Sequence, residues 1–268
     1  MTNLQRQFQL DYHVRGRGPT VILIHGMGAS RYDWEALSPQ LASAGYRSYA
    51  VDLLGHGSSP RPDAPEIYTA DTIYETLEAW IEDLRAPGLY HLVGHSLGGY
   101  LSLRYGLSHP EQVSAITLIA PLYTPNQLRP ILRHLSKSPD LGTRLLPLIP
   151  LNWIDKVLGW DPIASTQFSP ETRLQIAIDI KRASPHILHI PRSLTDLTPK
   201  LEQVTQPSQV IWGDKDLTLA PEAYPTLVAS LPDASETRLH HCGHQPHIGS
   251  PETVNPLILD FVHQHSPG

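Results

Sequence analysis

Gly94-His95-Ser96-Leu97-Gly98 sets a serine between two glycines, each two positions away. A serine hydroxyl is a weak nucleophile and attacks a carbonyl carbon only when a neighbouring base takes its proton. Further along stand acids, in Gly213-Asp214-Lys215-Asp216, and then a histidine in Gly243-His244. Imidazole titrates near neutrality, so it can accept the serine proton and return it to a leaving group. A carboxylate behind it can hold the tautomer and offset the charge it acquires. G-x-S-x-G is short enough to arise by chance, so its surroundings must carry the inference.

Those surroundings join two structures without a loop. Residues 90–93 form a short apolar run, and Leu97, Leu101 and Tyr105 then follow helical spacing. Similar runs recur at 21–24, 48–51, 115–119 and 209–212, with a last strand expected at 236–239. Being apolar on successive residues, they suit central parallel strands covered on both faces. Between them lie helical patterns. Ile73, Leu77, Trp80, Ile81 and Leu84 make one apolar face, and Thr72 with Glu75 predicts a capping box. Ser250-Pro251-Glu252 predicts another helix start, continued by Val254, Leu257, Ile258, Phe261 and Val262. Strand alternating with helix predicts an α/β fold with a doubly wound, mostly parallel sheet. In such sheets sites form beyond the carboxyl ends of strands, where the serine turn, the Asp214–Asp216 loop and His244 all fall.

The alternation stops at Pro121. Many of the chain's 26 prolines cluster between Pro121 and Pro207, and this stretch holds helical pieces without a convincing strand. One piece is expected over 127–135 and another from Ser169-Pro170-Glu171 through Leu174, Ile178 and Ala183. The expected organisation is a sheet domain in two parts, 1–121 and 206–268, with a helical module inserted at 122–205.

Composition narrows the class. The chain has 268 residues, 40% hydrophobic and 17% charged, with a formal net charge of −6. No basic run offers a footprint for nucleic acid. A single cysteine, Cys242, excludes an intrachain disulfide framework and fits a reducing compartment. The N-terminal stretch lacks the apolar core of a secretory signal, and no apolar run is long enough to span a membrane. A cytoplasmic protein without stable membrane insertion is expected. LLPLIPLNWI is apolar enough for a membrane-surface contact, but Pro147 and Pro150 interrupt any long amphipathic helix there.

HGMGAS, DLLGHGSS, GHSLGG, WGDKD and CGHQPHIGSPE stand at an order and spacing that resemble the α/β-hydrolase superfamily over essentially the whole chain. The resemblance implies an α/β-hydrolase fold in which the inserted module caps the site. It implies Ser96 as nucleophile, His244 as general base and acid, and Asp216 as third member, from the register G-x-x-D. Asp214 is then a turn residue. Backbone N–H groups of Met27 and Leu97 would form the oxyanion hole, His25, His56 and Asp52 would support loops, and His95 merely precedes the nucleophile. Where the family often carries GHxPHxExPE this chain has Gly249 in place of the glutamate, which removes a carboxylate near the base. The four histidines of HHCGHQPH invite a zinc site, but they lie where the family keeps its base, so neither metal nor cofactor is expected. Tyr123, Trp153 and Trp160 are candidates to line the substrate cleft, against an alternative of core packing, which also holds for Trp34.

Relatives that open epoxides or remove halide carry Asp at the elbow, so Ser96 points to acyl transfer. The expected function is hydrolysis of a carboxylic ester of a lipophilic small molecule through an acyl-enzyme. Two alternatives use the same fold: a C–C bond hydrolase or lyase, or a ligand receptor that signals by moving its cap. The C–C hydrolases often resemble G-N-S rather than G-H-S, and need cations for a substrate carboxylate. Arg129, Arg133, Lys181 and Arg192 in the inserted module are the candidates for that task.

Overall fold

The structure, a computed structural model, describes residues 8–266, so the outermost residues of the N-terminal stretch and of the 206–268 segment lie outside the described residues. Seven strands run β1 (Tyr12–Gly16), β2 (Thr20–Ile24), β3 (Arg47–Val51), β4 (Tyr90–His95), β5 (Val113–Ile119), β6 (Ser208–Gly213) and β7 (Ala234–Leu239). They form one sheet in the order β1-β3-β2-β4-β5-β6-β7. β1 pairs antiparallel with β3, and every other pairing is parallel. The fold is that of an α/β hydrolase: a mostly parallel sheet with helices on both faces.

The unbroken apolar runs have a simple cause. Successive side chains of a strand point to opposite faces, and both faces here are covered. Ile22, Ile24, Leu92 and Leu118 join one core cluster with Ile73, Leu77 and Ile81 of α2 (Ala70–Leu84) and Leu101 of α3 (Leu97–Ser108). Val21, Leu23, Val93 and Ile119 join the other, with Leu41 of α1 (Ser38–Ser43) and Val254, Ile258 and Val262 near the C-terminus. β1 escapes the same reading because all five of its residues are exposed at the sheet edge and need no apolar pattern.

Between β5 and β6 come α4 (Pro130–Leu135), α5 (Pro139–Leu145), α6 (Leu151–Trp160), α7 (Pro162–Gln167) and α8 (Pro170–Arg182), with short 3-10 turns and no strand among the described residues. After β6 follow α9 (Tyr224–Ser230), α10 (Pro246–Gly249) and α11 (Pro251–His265).

Two helix starts and one cap differ from expectation. α2 begins earlier: Thr69, not Thr72, caps it by accepting the Thr72 N–H at 3.1 Å. The helix expected over 127–135 divides into a 3-10 turn at Pro125–Gln127 and α4, because the residue before Pro130 is driven to extended backbone. Ser250 does precede α11, with Pro251 in its first turn, but its side chain makes no capping bond. No helix among the described residues is long and apolar enough to cross a membrane.

Candidate active site

β4 ends at His95 and α3 begins at Leu97, leaving Ser96 alone to make the turn at φ 51°, ψ −110°. A non-glycine residue held at such a backbone costs about 1–3 kcal/mol and persists only where its surroundings over-determine it. Here they do. The Ser96 N–H donates to Ile119 O at 3.0 Å, and its carbonyl accepts from Leu122 at 3.0 Å and Tyr100 at 3.2 Å. The flanking glycines follow from the same sharpness. A Cβ on Gly94 would lie 2.4 Å from Gly98 O, and one on Gly98 would lie 2.0 Å from Ile24 O.

His244 meets Asp216 from another strand end. Its Nδ1–H donates to Asp216 Oδ2 at 2.7 Å, which leaves Nε2 as the basic nitrogen. Asp216 is fully buried, and each carboxylate oxygen is held. Oδ1 accepts the N–H groups of Thr218 at 2.7 Å and Leu219 at 2.9 Å, and Oδ2 also accepts the Tyr224 hydroxyl at 3.1 Å. Burial pushes this carboxyl up, but the His244 imidazole and the N–H donors outweigh it and hold it below the ordinary range. Asp214 turns the other way. It binds Arg238, His240 and the His241 N–H, and so ties down the loop after β7. Ser96 and His244 line one cavity of about 280 Å³.

Met27 and Leu97 also line that cavity. Leu97 is the first residue of α3, where N–H groups lack helical acceptors and the helix dipole favours an anion. Neither the Leu97 nor the Met27 N–H has a hydrogen-bond acceptor among the described residues. Both remain available to an oxyanion.

The supporting histidines are tied to backbone. His25 Nδ1 donates to Gly26 O at 2.7 Å while Nε2 accepts the Leu53 N–H at 3.0 Å. His56 donates to Leu54 O, and burial pushes its pKa down to about 3, so it stays neutral. Asp52 accepts from Arg31 and from the Ser58 N–H, bracing the loop through Ser58. His95 does more than precede the nucleophile. Its Nε2–H donates to His244 O at 3.0 Å and its ring lies 4.9 Å from the His244 ring.

Behind this pair sits Asp33, whose Oδ2 lies 3.7 Å from His95 Nδ1 and 3.6 Å from His247 Nε2. Those three residues are the grouping among the described residues whose donor atoms could share a metal ion. The separations are equally those of loose ion pairs. The histidines of HHCGHQPH themselves disperse: His240 goes to Asp214, His244 to Asp216 and His247 to Asp33.

The cleft-lining candidates fall elsewhere. Tyr123 is buried, with its hydroxyl donated to Ala223 O at 2.9 Å, away from the cavity wall. Trp153 and Trp160 point to solvent, 54% and 71% exposed. The reason is the register of α6: Ile154 is buried and Leu158 lines the cavity, so the opposite stripe carries both tryptophans. Trp34 belongs to the core, its ring 5.0 Å from that of His247. The actual wall is mainly apolar, with Leu122, Leu128, Ile163, Phe168 and Leu194. It also includes three acids absent from the expected site, Asp33, Asp161 and Asp179. Asp179 had a sequence signal: it shares one helical stripe with Ile176 and Ile180, an acid on an apolar face. Asp33 had none.

A family model described as alpha/beta hydrolase fold matches residues 19–148. The chain is 26% identical over 273 residues to a monoacylglycerol lipase of Homo sapiens, covering 95% of this chain and 79% of that protein. It is 26% identical over 277 residues to a 2-hydroxy-6-oxo-6-phenylhexa-2,4-dienoate hydrolase of Burkholderia cepacia, covering 95% and 91%. In fold it matches a thermophilic esterase from Thermogutta terrifontis with a TM-score of 0.82 at 20% identity, over 97% of this chain and 95% of that one. The family model, these relatives and the structural match support membership of the α/β-hydrolase superfamily, and hydrolysis is the chemistry that both curated relatives named here share.

Proposed function

We propose that this hydrolase cleaves a carboxylic ester of a lipophilic small molecule through an acyl-enzyme on Ser96. The observation that carries the reading is the buried Asp216–His244 hydrogen bond at 2.7 Å, opening on the cavity that Ser96 also lines. His244 Nε2 takes the Ser96 proton as Oγ bonds to the carbonyl carbon, and the carbonyl oxygen becomes an oxyanion facing the Leu97 and Met27 N–H groups. When the carbon–oxygen bond breaks, the alcohol leaves with the proton from His244. Water then attacks the acyl-enzyme by the same route and returns Ser96 with the free acid.

The cavity wall weighs against the C–C hydrolase alternative, which needs a cation for a substrate carboxylate. Among the described residues, no lysine or arginine lines the cavity. Arg129 donates to Asp216 O, Arg133 to Leu128 O, and Lys181 to the carbonyls of Leu146, Pro147 and Ile149. An apolar wall free of cations suits an ester without a carboxylate.

The test is hydrolysis of p-nitrophenyl esters from acetate to palmitate, with Ser96→Ala alongside. Turnover that disappears in the variant supports the acyl-enzyme route, and its chain-length optimum sizes the pocket. A folded protein with no turnover on any ester would return weight to the C–C hydrolase and receptor readings.

A further inference from the structure

The cavity wall carries acids that the proposed reaction does not use. Asp33, from the 3-10 turn after β2, and Asp179, from α8, reach it from the sheet side and the helical side, and both are buried. Asp33 Oδ2 makes no hydrogen bond among the described residues, but it lies 3.7 Å from His95 Nδ1 and 3.6 Å from His247 Nε2. Asp179 Oδ1 accepts the Gln175 side chain at 3.1 Å. A third acid on the wall, Asp161, is accounted for, because its Oδ1 caps α7 through the N–H groups of Ile163 and Ala164. Among the described residues, no lysine or arginine lines the wall beside Asp179.

Buried carboxylates are ordinarily paired, since an uncompensated charge in a low-dielectric site is costly. Asp33 has His95 and His247 beside it, but among the described residues no lysine or arginine on the cavity wall faces Asp179. We infer that the substrate supplies the missing cation: the ester carries a quaternary or protonated amine, recognised by Asp179 of α8. This rests on the ester-hydrolase reading above and names the class of ester. The phenyl ring of Phe168 on the same wall adds a face that attracts cations, and the aliphatic wall accommodates the methyl or methylene groups around the nitrogen.

The acidities agree. Burial, with a further push from the charge of Asp33, takes the Asp179 carboxyl up to about 6 against the hydrogen bonds from Ser30 and Gln175. A bound cation would favour the ionised form and relieve that unfavourable burial.

The test compares p-nitrophenyl 4-(trimethylammonio)butanoate with its neutral isostere, p-nitrophenyl 5,5-dimethylhexanoate, and with the anionic hemiglutarate. Each rate is normalised to alkaline hydrolysis of the same ester. The expected kcat/KM is about tenfold higher for the cation than for the isostere, and lowest for the anion. Asp179→Asn should cut the cation-to-neutral ratio about tenfold, a comparison made within one enzyme and so independent of its overall activity. Ser96→Ala should also bind the cationic ester more tightly than the isostere in calorimetry. Turnover of the neutral ester with no cation preference in wild type would overturn this inference and leave the ester reading standing. A preference that persists in Asp179→Asn would remove Asp179 as the recognition residue and overturn the inference as stated. Failure of all three esters would sink both.

Discussion

Two surfaces face each other across the cavity, and they are built differently. On the sheet side, β2 and β4 are buried along their whole length, and the serine turn between β4 and α3 is held by hydrogen bonds to β5, to the segment just after it and to the first turn of α3. On the helical side, α6 buries Ile154 and turns Leu158 to the cavity while exposing Trp153, Val157 and Trp160 along its other stripe. At the serine turn the sheet side has almost no freedom to substitute, since a Cβ added at Gly94 or Gly98 would meet a backbone oxygen at 2.4 or 2.0 Å. The helical side has one packed stripe and one open stripe. Chemistry that needs fixed geometry sits on the first, and groups that sort substrates, such as Asp179 and Phe168, sit on the second.

That contrast can be broken most sharply at Asp216. Asp216→Asn should lower kcat about a thousandfold on a p-nitrophenyl ester with KM little changed, because the imidazole loses its orienting carboxylate. Asp214→Asn, two residues away, should leave kcat within about twofold and cost about 1 kcal/mol of stability through its loop bonds. If the two variants lose activity equally, the assignment of roles after β6 is wrong.

Next in size is Gly98→Ala. Its new methyl would meet Ile24 O at 2.0 Å, and neither backbone can yield, so unfolding in urea should show a loss of about 3 kcal/mol. An alanine at Gly159, on the open part of α6, has only the Arg173 side chain at 3.7 Å nearby and should be neutral or slightly stabilising.

Asp179 gives a smaller effect with a definite sign. Its folded-state pKa is raised to about 6 by burial, so between the ordinary carboxylate value and 6 the folded chain binds the proton and the unfolded chain does not. Its contribution to stability therefore worsens as pH rises through that window. Asp179→Asn should raise Tm by about 2–4 °C at pH 8 and leave it unchanged at pH 4. A rise of equal size at both pH values would point to packing in place of charge.

The smallest expected effects are on the open stripe. Trp153→Ser and Trp160→Ser should each alter stability by less than about 0.5 kcal/mol and leave turnover of soluble short esters unchanged. A large fall in kcat/KM for either would mean that these side chains reach the substrate after all.

Much of the molecule was legible before its structure, for local reasons. A strand that becomes a helix in one residue needs glycines two positions to either side, and the spacing of Gly94, Ser96 and Gly98 states that requirement in five letters. Strands covered on both faces must be apolar at successive positions, which marked the runs that became β2 to β6. β1 was not legible, because an exposed edge strand bears no such constraint. The register of Gly213 to Asp216 pointed to the acid that His244 meets, although it says nothing of Tyr224, Thr218 and Leu219, whose donors make that carboxylate acidic.

Aromatic residues misled for the opposite reason. A tryptophan in an apolar, proline-rich stretch fits equally a cleft, a core or an outward face. Only the seating of Ile154 and Leu158 decides which way α6 turns. The local rules of backbone geometry and strand burial act over a few residues, and so the sequence by itself determined the serine turn, the central strands and the order of the reacting groups. The character of the cavity depends on residues that meet across long stretches of chain: Asp33 beside His247, and Asp179 on a wall without lysine or arginine among the described residues. No short-range pattern encodes such encounters, and tertiary structure alone decided them.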